Sequence, residues 1–285
     1  MSAAASRLEL EKPGYIPTRN ETESIGHEDE GIAVGKLTGI TPDPLISTIA
    51  VDLDDVLSQT NQAVADWHNE VYGTDMDLSH FYYYYYWKNP YWGTVQDTFN
   101  KLEDFYKTDR LYKASPVPGA LKGLQTLRDM GFRLIIVTAR QEDKADESWK
   151  WVTKHFPGIF ENIICTGQFK DTHKSGHEVV TKLNKPQICK ELGAKLLIDD
   201  SVENALQCVN ASEPVPVLLF GDYEWNRRVS SADDMTFDIR LEACDGREFW
   251  REETVPIPKG AALWRVRDWK EVVQWVHQAQ AEGRI

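Results

Sequence analysis

Two aspartates two residues apart follow a short apolar run near residue 50. The run 47–51 ends directly before Asp52, and Asp54 is the next acid along the chain. A carboxylate can attack phosphorus and form a covalent acyl phosphate. A second carboxylate beside it can give a proton to the leaving group and later take one from water. The spacing therefore predicts Asp52 as a catalytic nucleophile and Asp54 as a general acid and base.

Three further polar features stand beside apolar runs. Thr138 and the pair Asp199-Asp200 each follow such a run, and Lys185 precedes a short helical pattern. A hydroxyl can donate to a phosphoryl oxygen and an ammonium can neutralise its charge, so we predict Thr138 and Lys185 as phosphate-binding residues. Carboxylates gathered in one place repel one another unless a cation lies between them, and ligand sets made of oxygen suit Mg²⁺.

Each feature taken alone also has an ordinary structural explanation. An isolated Asp-x-Asp is most often a solvated turn, and a threonine after a strand often only ends it through a hydrogen bond. Asp199-Asp200-Ser201 could simply cap the helix that follows. Arg140 could steer an anionic substrate or could be a solvated loop residue. The occurrence of all four features in one order favours a single site.

The elements that must position these residues have an α/β pattern. After residue 116, short apolar strands alternate with amphipathic helical patterns. Such an alternation indicates a Rossmann-like, mainly parallel sheet with helices on both faces. The predicted strands are 47–51, 132–137, 163–165, 196–198 and 217–220. Since ligands bind outside the carboxyl ends of the strands in such sheets, the polar features should meet in one crevice.

The pattern along the chain also predicts three parts. Residues 1–45 contain several prolines, glycines and acids with little apolar periodicity, which favours a flexible leader. Residues 46–57 and 119–285 are expected to form the α/β core with a C-terminal extension, whose last helix begins after Asp268 as its N-cap. A structureless loop of about 60 residues is uncommon, so residues 58–118 should form a small helical cap inserted after the first strand.

The set of motifs resembles the haloacid dehalogenase (HAD)-like superfamily of phosphohydrolases. The matching stretches, in the order of the superfamily, are 52–57, Thr138, Lys185 and 199–200. The resemblance implies a phosphatase that acts on a small phosphate monoester through an aspartyl-phosphate intermediate. A two-component receiver domain fits less well. Its acidic pair comes early and its lysine comes last, whereas in this chain Asp199-Asp200 follows Lys185.

The resemblance also implies a Mg²⁺ cofactor. Its ligands would be the Asp52 carboxylate, the backbone carbonyl of Asp54 and Asp199, with Asp200 either a ligand or a neighbour that supports one. Asp54 is informative, because relatives that dehalogenate or pump ions replace this second acid. Caps in this position cover the active site in the superfamily and shape the choice of substrate. The alternative function is a catalytically silent HAD-like protein that binds or regulates.

A narrower likeness concerns the substrate. The stretch VTAR at 137–140 and the stretch LLIDDS at 196–201 look like the 5′(3′)-deoxyribonucleotidase-type branch of the superfamily. This likeness makes a nucleotide a candidate substrate. It does not decide between nucleotides and other small phosphate monoesters.

Charge and composition exclude several other classes of function. The 285 residues include 32 Lys plus Arg and 45 Asp plus Glu, which gives a net charge of −13. Such a negative field disfavours a nucleic-acid polymer or an anionic membrane as partner. The apolar runs are too short to cross a bilayer, and the spacing of the four cysteines indicates thiols in a reducing compartment. We therefore expect a cytoplasmic protein with a small phosphorylated substrate.

Seven consecutive aromatic residues, 81–87, lie within the expected cap. Neighbouring side chains point in different directions in a strand and in a helix, so these rings cannot all enter one small core. Three explanations remain open. The rings could pack the cap against the sheet domain, form a homodimer contact, or include one or two that stack on a planar substrate group such as a nucleobase.

Overall fold

The computed structural model describes residues 46–166, 178–180, 183–231 and 233–285. The expected leader, residues 1–45, lies outside the described residues. The described strands are β1 (Thr48–Val51), β2 (Arg133–Thr138), β3 (Ile163–Cys165), β4 (Glu178–Val180), β5 (Ala194–Asp199), β6 (Val217–Phe220) and β7 (Leu263–Val266). They form one sheet in the order β4-β3-β2-β1-β5-β6-β7, and every neighbouring pair is parallel.

Helices connect the strands and cover the sheet. The described α-helices are α1 (Thr60–Tyr72), α2 (Val95–Tyr106), α3 (Arg110–Lys113), α4 (Ala120–Asp129), α5 (Ala145–His155), α6 (Lys185–Glu191), α7 (Val202–Val209), α8 (Phe237–Ala243) and α9 (Trp269–Ala281). Helices α4 and α9 approach closely at Gly123, where an added Cβ would lie 2.6 Å from the Trp269 ring. A larger residue at this position would therefore push the two helices apart.

Two apolar layers, one on each face of the sheet, form the main core. Ile49 and Val51 of β1 belong to the layer that includes Trp269 and other side chains of α4, α5 and α9. Ala50 belongs to the opposite layer, which includes Ile188 of α6 and Val202 of α7. Alternate residues of one strand thus contribute to opposite faces. The predicted α/β fold class, a parallel Rossmann-like sheet covered on both faces, is confirmed.

The segment 58–118, expected to be the cap, contains α1, α2 and α3. Its apolar side chains, including Val64 and Trp67, form a cluster separate from the two sheet layers. Val71 continues the helical spacing of Val64 and Trp67 along the sequence, yet it is 52% exposed. Val71 lies in the last turn of α1, just before the left-handed Gly73 that ends the helix, where the helix leaves its neighbours.

The C-terminal extension, residues 221–285, contributes a strand to the sheet, which the sequence pattern did not predict. Strand β7 pairs in parallel with β6 and forms an edge of the sheet. Its two middle residues, Trp264 and Arg265, are exposed, so the strand lacks the continuous apolar run that identifies the central strands. The last helix is as predicted: the Asp268 side chain accepts the Glu271 backbone N–H and caps α9.

The aromatic run 81–87 packs mostly inside the protein. Phe81, Tyr83 and Trp87 are buried, and Tyr82 stacks on Trp250 with ring centroids 4.6 Å apart. The surface that receives Tyr82 and Tyr83 belongs to the C-terminal extension, whereas Tyr86 and Trp87 contact rings of the segment 58–118. Packing therefore accounts for most of the run, and the rings leave little exposed apolar area to support the homodimer contact.

Polar contacts join the same two segments. Lys88 Nζ lies 2.5 Å from Asp234 Oδ2, and the Tyr83 hydroxyl donates to Glu253 Oε2 at 2.5 Å. Glu253 is also paired with Arg240 of α8. The C-terminal extension thus holds the aromatic run through both ring contacts and charged groups.

The apolar layers also contain most of the thiols. Cys165, Cys189 and Cys208 are buried and Cys244 is half-buried, and none of the four forms a disulfide, as the sequence predicts. Within the described parts of the chain, no helix has both the length and the apolar character needed to cross a bilayer.

Candidate active site

The carboxyl ends of three adjacent strands bring the predicted residues together. Asp52 follows β1, Thr138 ends β2 and Asp199 ends β5, and β1 lies between the other two strands. The Asp52 backbone N–H donates to the Ile198 carbonyl at 2.9 Å, so the main chain beyond β1 stays attached to β5. The sheet therefore places the predicted nucleophile at the centre of the crevice.

Lys185 lies between two of the acids. Its Nζ is 2.8 Å from Asp52 Oδ1 and 2.6 Å from Asp199 Oδ2. The lysine is the first residue of α6, a helix capped by the Asn184 side chain, which accepts the Gln187 backbone N–H. Burial opposes the charge of the lysine, but the carboxylates of Asp199 and Asp52 outweigh it and raise its pKa well above the usual value. Lys185 is therefore a fixed cation.

Asp199, the last residue of β5, and Asp200, the residue after it, have different surroundings. The Asp199 carboxylate accepts hydrogen bonds from Lys185, the Ser201 backbone N–H and the Asn204 amide. The Asp200 carboxylate accepts one hydrogen bond, from Trp225 Nε1 at 2.8 Å, among the residues described. Asp199 is thus occupied by protein donors, whereas Asp200 keeps an oxygen available for another partner.

Three carboxylates gather more negative charge than the lysine neutralises. One oxygen each from Asp52, Asp199 and Asp200 lies within 4.8 Å of the others, and all three residues are buried. Burial, opposed by Lys185 and reinforced by Asp199, raises the pKa of Asp52 to about 7. Burial and then the charges of Asp52 and Asp55 raise the pKa of Asp200 well above its usual value.

A divalent cation fits this donor set. Asp52 Oδ1 is buried and accepts no well-aligned hydrogen bond from a described residue, although Lys185 lies near it. Hard oxygen donors with uncompensated charge are the ligands that Mg²⁺ prefers. The residues present therefore fit the cation that the sequence resemblance implies, without distinguishing Mg²⁺ from other hard cations.

Asp54 lies in a separate network with Arg140. Arg140 Nη2 is 2.6 Å from Asp54 Oδ1, and Arg140 Nε is 3.1 Å from both carboxylate oxygens. The Thr60 hydroxyl donates to Asp54 Oδ1 at 2.5 Å. Burial opposes ionisation, but the Arg140 guanidinium outweighs it and lowers the pKa of Asp54. Asp54 is therefore ionised in this arrangement.

Thr138 belongs to the same network. Its hydroxyl donates to Asp54 Oδ2 at 3.4 Å and accepts the Arg140 backbone N–H at 3.2 Å. The side chain is buried at the end of β2. The structure thus brings all the predicted site residues to one end of the sheet, in two adjoining networks, one around Lys185 and one around Arg140.

Two tyrosines from the segment 58–118 reach the same crevice. Tyr84 is 37% exposed, yet burial of its hydroxyl raises its pKa well above the usual value, and Lys185 and Asp52 are among the charges that act on it. Burial and the charge of Asp54 raise the pKa of Tyr106 to about 12. The charges of the site therefore act on both hydroxyls, while part of each residue stays accessible.

Some residues of the site carry only weak signals in the sequence. The sequence does not decide whether Arg140 steers a substrate or is a solvated loop residue. Its position two residues after a strand end is the signal that could have favoured the site. Thr60 lies in the first turn of α1, where a hydroxyl is ordinary. Trp225 lies in the irregular tail, and its bond to Asp200 has no sequence signal.

Comparison with protein families gives one match. The family described as "5' nucleotidase, deoxy (Pyrimidine), cytosolic type C protein" matches residues 46–178. This range includes Asp52, Asp54 and Thr138 and ends before Lys185 and the acids after β5. A search of curated protein sequences found no match.

The solved structures to which this chain is similar include several hydrolases. A HAD family hydrolase from Deinococcus radiodurans R1, solved with bound phosphate and sodium, is 16% identical, with 84% of this chain and 98% of that chain covered and a TM-score of 0.46. A haloacid dehalogenase-like family hydrolase from Streptococcus pneumoniae is 12% identical, with coverage of 81% and 98% and a TM-score of 0.47. A HAD-superfamily hydrolase of subfamily IA from Geobacter sulfurreducens PCA is 14% identical, with coverage of 81% and 96% and a TM-score of 0.46.

Proposed function

We infer that this chain, a member of the HAD-like superfamily with its family match in a 5′ nucleotidase branch, hydrolyses a phosphate monoester through a phosphorylated Asp52. The observation that carries the mechanism is the position of Lys185, which lies within 3 Å of both Asp52 and Asp199 at the carboxyl edge of the sheet. A buried ammonium beside a buried carboxylate suits the attack of that carboxylate on an anionic phosphoryl group, because the ammonium offsets the charge that gathers there.

In the first half of the reaction, an Asp52 carboxylate oxygen attacks phosphorus. The new bond joins this oxygen to phosphorus, and the bond between phosphorus and the leaving oxygen breaks. Asp54 gives a proton to the leaving oxygen. Because Arg140 holds Asp54 ionised in the structure, the acid must first receive a proton, which a phosphate monoester monoanion can supply.

In the second half, Asp54 acts as the base. It takes a proton from water while the water oxygen attacks the phosphorus of the aspartyl phosphate. The bond between phosphorus and the Asp52 oxygen breaks, so inorganic phosphate leaves and the carboxylate is restored. The ionised state that Arg140 favours is the state this step requires. The Thr138 hydroxyl donates to Asp54 Oδ2 in the structure, and we propose that it donates to a phosphoryl oxygen when substrate is bound.

The proposed Mg²⁺ site uses the Asp52 carboxylate and the Asp54 backbone carbonyl, together with the acids after β5. Asp200 is the stronger candidate for direct coordination, because Asp199 already accepts several hydrogen bonds and holds Lys185. When bound, the cation supplies charge neutralisation for the phosphoryl group. Lys185 and Asp199 then keep the Asp52 side chain in position.

The test of this function is hydrolysis of p-nitrophenyl phosphate with Mg²⁺ and with excess EDTA. We expect turnover with Mg²⁺ and its loss with EDTA, with Asp52→Asn prepared in parallel to exclude a contaminating phosphatase. A panel of nucleotides, sugar phosphates and phospho-amino acids then identifies the substrate class. Absence of hydrolysis across the panel would support the alternative, a catalytically silent binding protein.

The family match favours a nucleotide as the substrate class, and we propose that the Tyr84 ring contacts its base. Other rings of the aromatic run already stack on tryptophans of the protein: Tyr82 stacks on Trp250, and Tyr86 stacks on Trp92. Tyr84 is the most exposed ring of the run, at 37%, and the charges of Lys185 and Asp52 act on its hydroxyl.

We predict that Tyr84→Leu lowers kcat/KM for nucleotides relative to sugar phosphates. Stacking on a base contributes about 1–3 kcal/mol, so the ratio of the two specificity constants should fall by roughly 5- to 150-fold. Leucine keeps apolar bulk, which separates stacking from simple burial. The measurement is steady-state kinetics on a matched pair, a nucleoside 5′-monophosphate and a sugar phosphate.

Tyr82→Leu is the matched control for this prediction. It removes a neighbouring ring that is stacked on Trp250, so it should lower stability and leave the ratio unchanged. If Tyr84→Leu changes both specificity constants by the same factor, the base does not stack on this ring.

A further inference from the structure

The C-terminal extension reaches the acid cluster through one side chain. Trp225 Nε1 donates to Asp200 Oδ2 at 2.8 Å, across 25 positions of sequence. The indole N–H is a donor only. It can therefore orient a carboxylate, but it cannot itself bind a cation. Both side chains are buried, so the bond lies inside the protein and not on its surface.

The indole is held in place on several sides. Tyr223 stacks on it with ring centroids 4.2 Å apart and planes inclined by 9°, and the Tyr223 hydroxyl donates to the Asp55 carbonyl at 2.8 Å. Phe81 of the aromatic run meets the ring edge to face at 6.2 Å. The orientation of the N–H is therefore fixed by neighbours from three parts of the chain.

The backbone that carries the indole is attached to the sheet. Trp225 lies in a short 3₁₀ helix, Glu224–Arg227, that follows β6. The Asn226 amide donates to the carbonyls of Phe220 and Gly221 at 2.8 and 3.0 Å. Arg265 of β7 donates to the Asn226 carbonyl at 2.8 Å. These hydrogen bonds hold the backbone around Trp225 against the sheet, so the indole N–H is presented to the site in one orientation.

We propose that Trp225 is a positioning residue for the cation, which fixes the rotamer of Asp200 so that its other oxygen is available beside Asp52. This role rests on the proposed function, because it requires the cation site. Donors that orient a ligating carboxylate in this way typically change metal affinity by about 10- to 100-fold when removed. It also gives the C-terminal extension a part in the site, beyond packing against the aromatic run.

The test compares Mg²⁺ affinity in Trp225→Phe and in wild type. Affinity is measured by isothermal titration calorimetry and by the Mg²⁺ concentration at half-maximal thermal stabilisation, without substrate. Phenylalanine keeps an aromatic ring against Tyr223 and Phe81 and removes the N–H. We expect the dissociation constant for Mg²⁺ to rise by roughly 10- to 100-fold.

Trp92→Phe is the matched control. Trp92 is buried in the same apolar cluster as Trp225, and its Nε1 has no hydrogen-bond partner among the described residues. This variant loses the same ring volume without losing a bond to an acid. We expect a lower unfolding temperature with the Mg²⁺ dissociation constant within about threefold of wild type.

A second substitution covers the case in which Trp225→Phe fails to fold. Site-specific replacement of Trp225 by β-(3-benzothienyl)alanine keeps the size of the indole and puts sulfur in place of the N–H. The same loss of Mg²⁺ affinity is expected.

If the variant that folds binds Mg²⁺ as tightly as Trp92→Phe, the indole only packs and the positioning role is overturned. If wild type itself binds no Mg²⁺, the cation site of the proposed function fails, and this role fails with it.

Discussion

Asp52→Asn should reduce turnover of a phosphate monoester by at least about 10⁴-fold, the scale of loss seen when a covalent nucleophile is removed. The amide is nearly the same shape as the carboxylate but cannot attack phosphorus. We expect the variant to fold, because the buried carboxylates around Lys185 repel one another and the amide removes one of these charges. Steady-state kinetics and thermal unfolding measure the two effects.

The covalent intermediate gives a separate test of this assignment. Reduction of an aspartyl phosphate with borohydride converts the residue to homoserine, which mass spectrometry can locate. We expect homoserine at position 52 in wild type quenched during turnover. Label at any other acid, or none under conditions of rapid turnover, contradicts the role of Asp52.

Asp55→Asn is the matched control for the nucleophile variant. Asp55 is a buried neighbour in the same motif, and its carboxylate accepts the Asn61 backbone N–H at 3.1 Å. Its φ of 53° lies in the left-handed region, which asparagine adopts readily. The amide oxygen can still accept the same hydrogen bond, so activity should stay within about tenfold of wild type.

Asp54→Asn should show a loss that depends on the leaving group. For alkyl phosphates, whose leaving oxygen needs a proton, kcat/KM should fall by about 10²- to 10⁴-fold. For p-nitrophenyl phosphate, whose leaving group is stable as an anion, kcat/KM should fall by less than about tenfold. Since kcat/KM reports the steps up to aspartyl-phosphate formation, this comparison isolates the acid role.

The base role of Asp54 appears in a different measurement. With p-nitrophenyl phosphate, the variant should release nitrophenol in a burst and then accumulate phosphorylated Asp52, because water attacks slowly without a base. Arg140 loses its anionic partner in this variant, so assays must stay well below the unfolding temperature. Equal losses of kcat/KM on both substrates, without accumulation of the intermediate, would exclude Asp54 as acid and base.

The parts of the site that the sequence predicts are the residues at the carboxyl ends of the strands. Asp52 follows the buried strand β1, and Asp199 and Asp200 follow the buried apolar residues 196–198 of β5. A parallel sheet brings such ends together whatever the connecting segments do. Strand ends were therefore enough to predict which residues approach one another, although their roles remain proposals.

The contacts that the sequence does not predict join distant parts of the chain. Arg140 and Asp54 are 86 positions apart, and Arg140 is followed by polar residues that look like a solvated loop. Trp225 and β7 lie in a tail without clear periodicity, because edge strands and supporting loops do not need continuous apolar runs. The aromatic run was visible in the sequence, but the partner surface from the C-terminal extension was not.

The central position of β1 in the sheet has a consequence for synthesis. One neighbour, β2, begins at residue 133, whereas the other, β5, begins only at residue 194. A growing chain therefore keeps one edge of the buried strand β1 unpaired until synthesis has passed residue 194. Such an edge can recruit other chains, and pairing of segments so far apart in sequence is slow. Polypeptides that stop before β5 lack Asp199 and Asp200, so they would be inactive and would also expose an edge that favours aggregation.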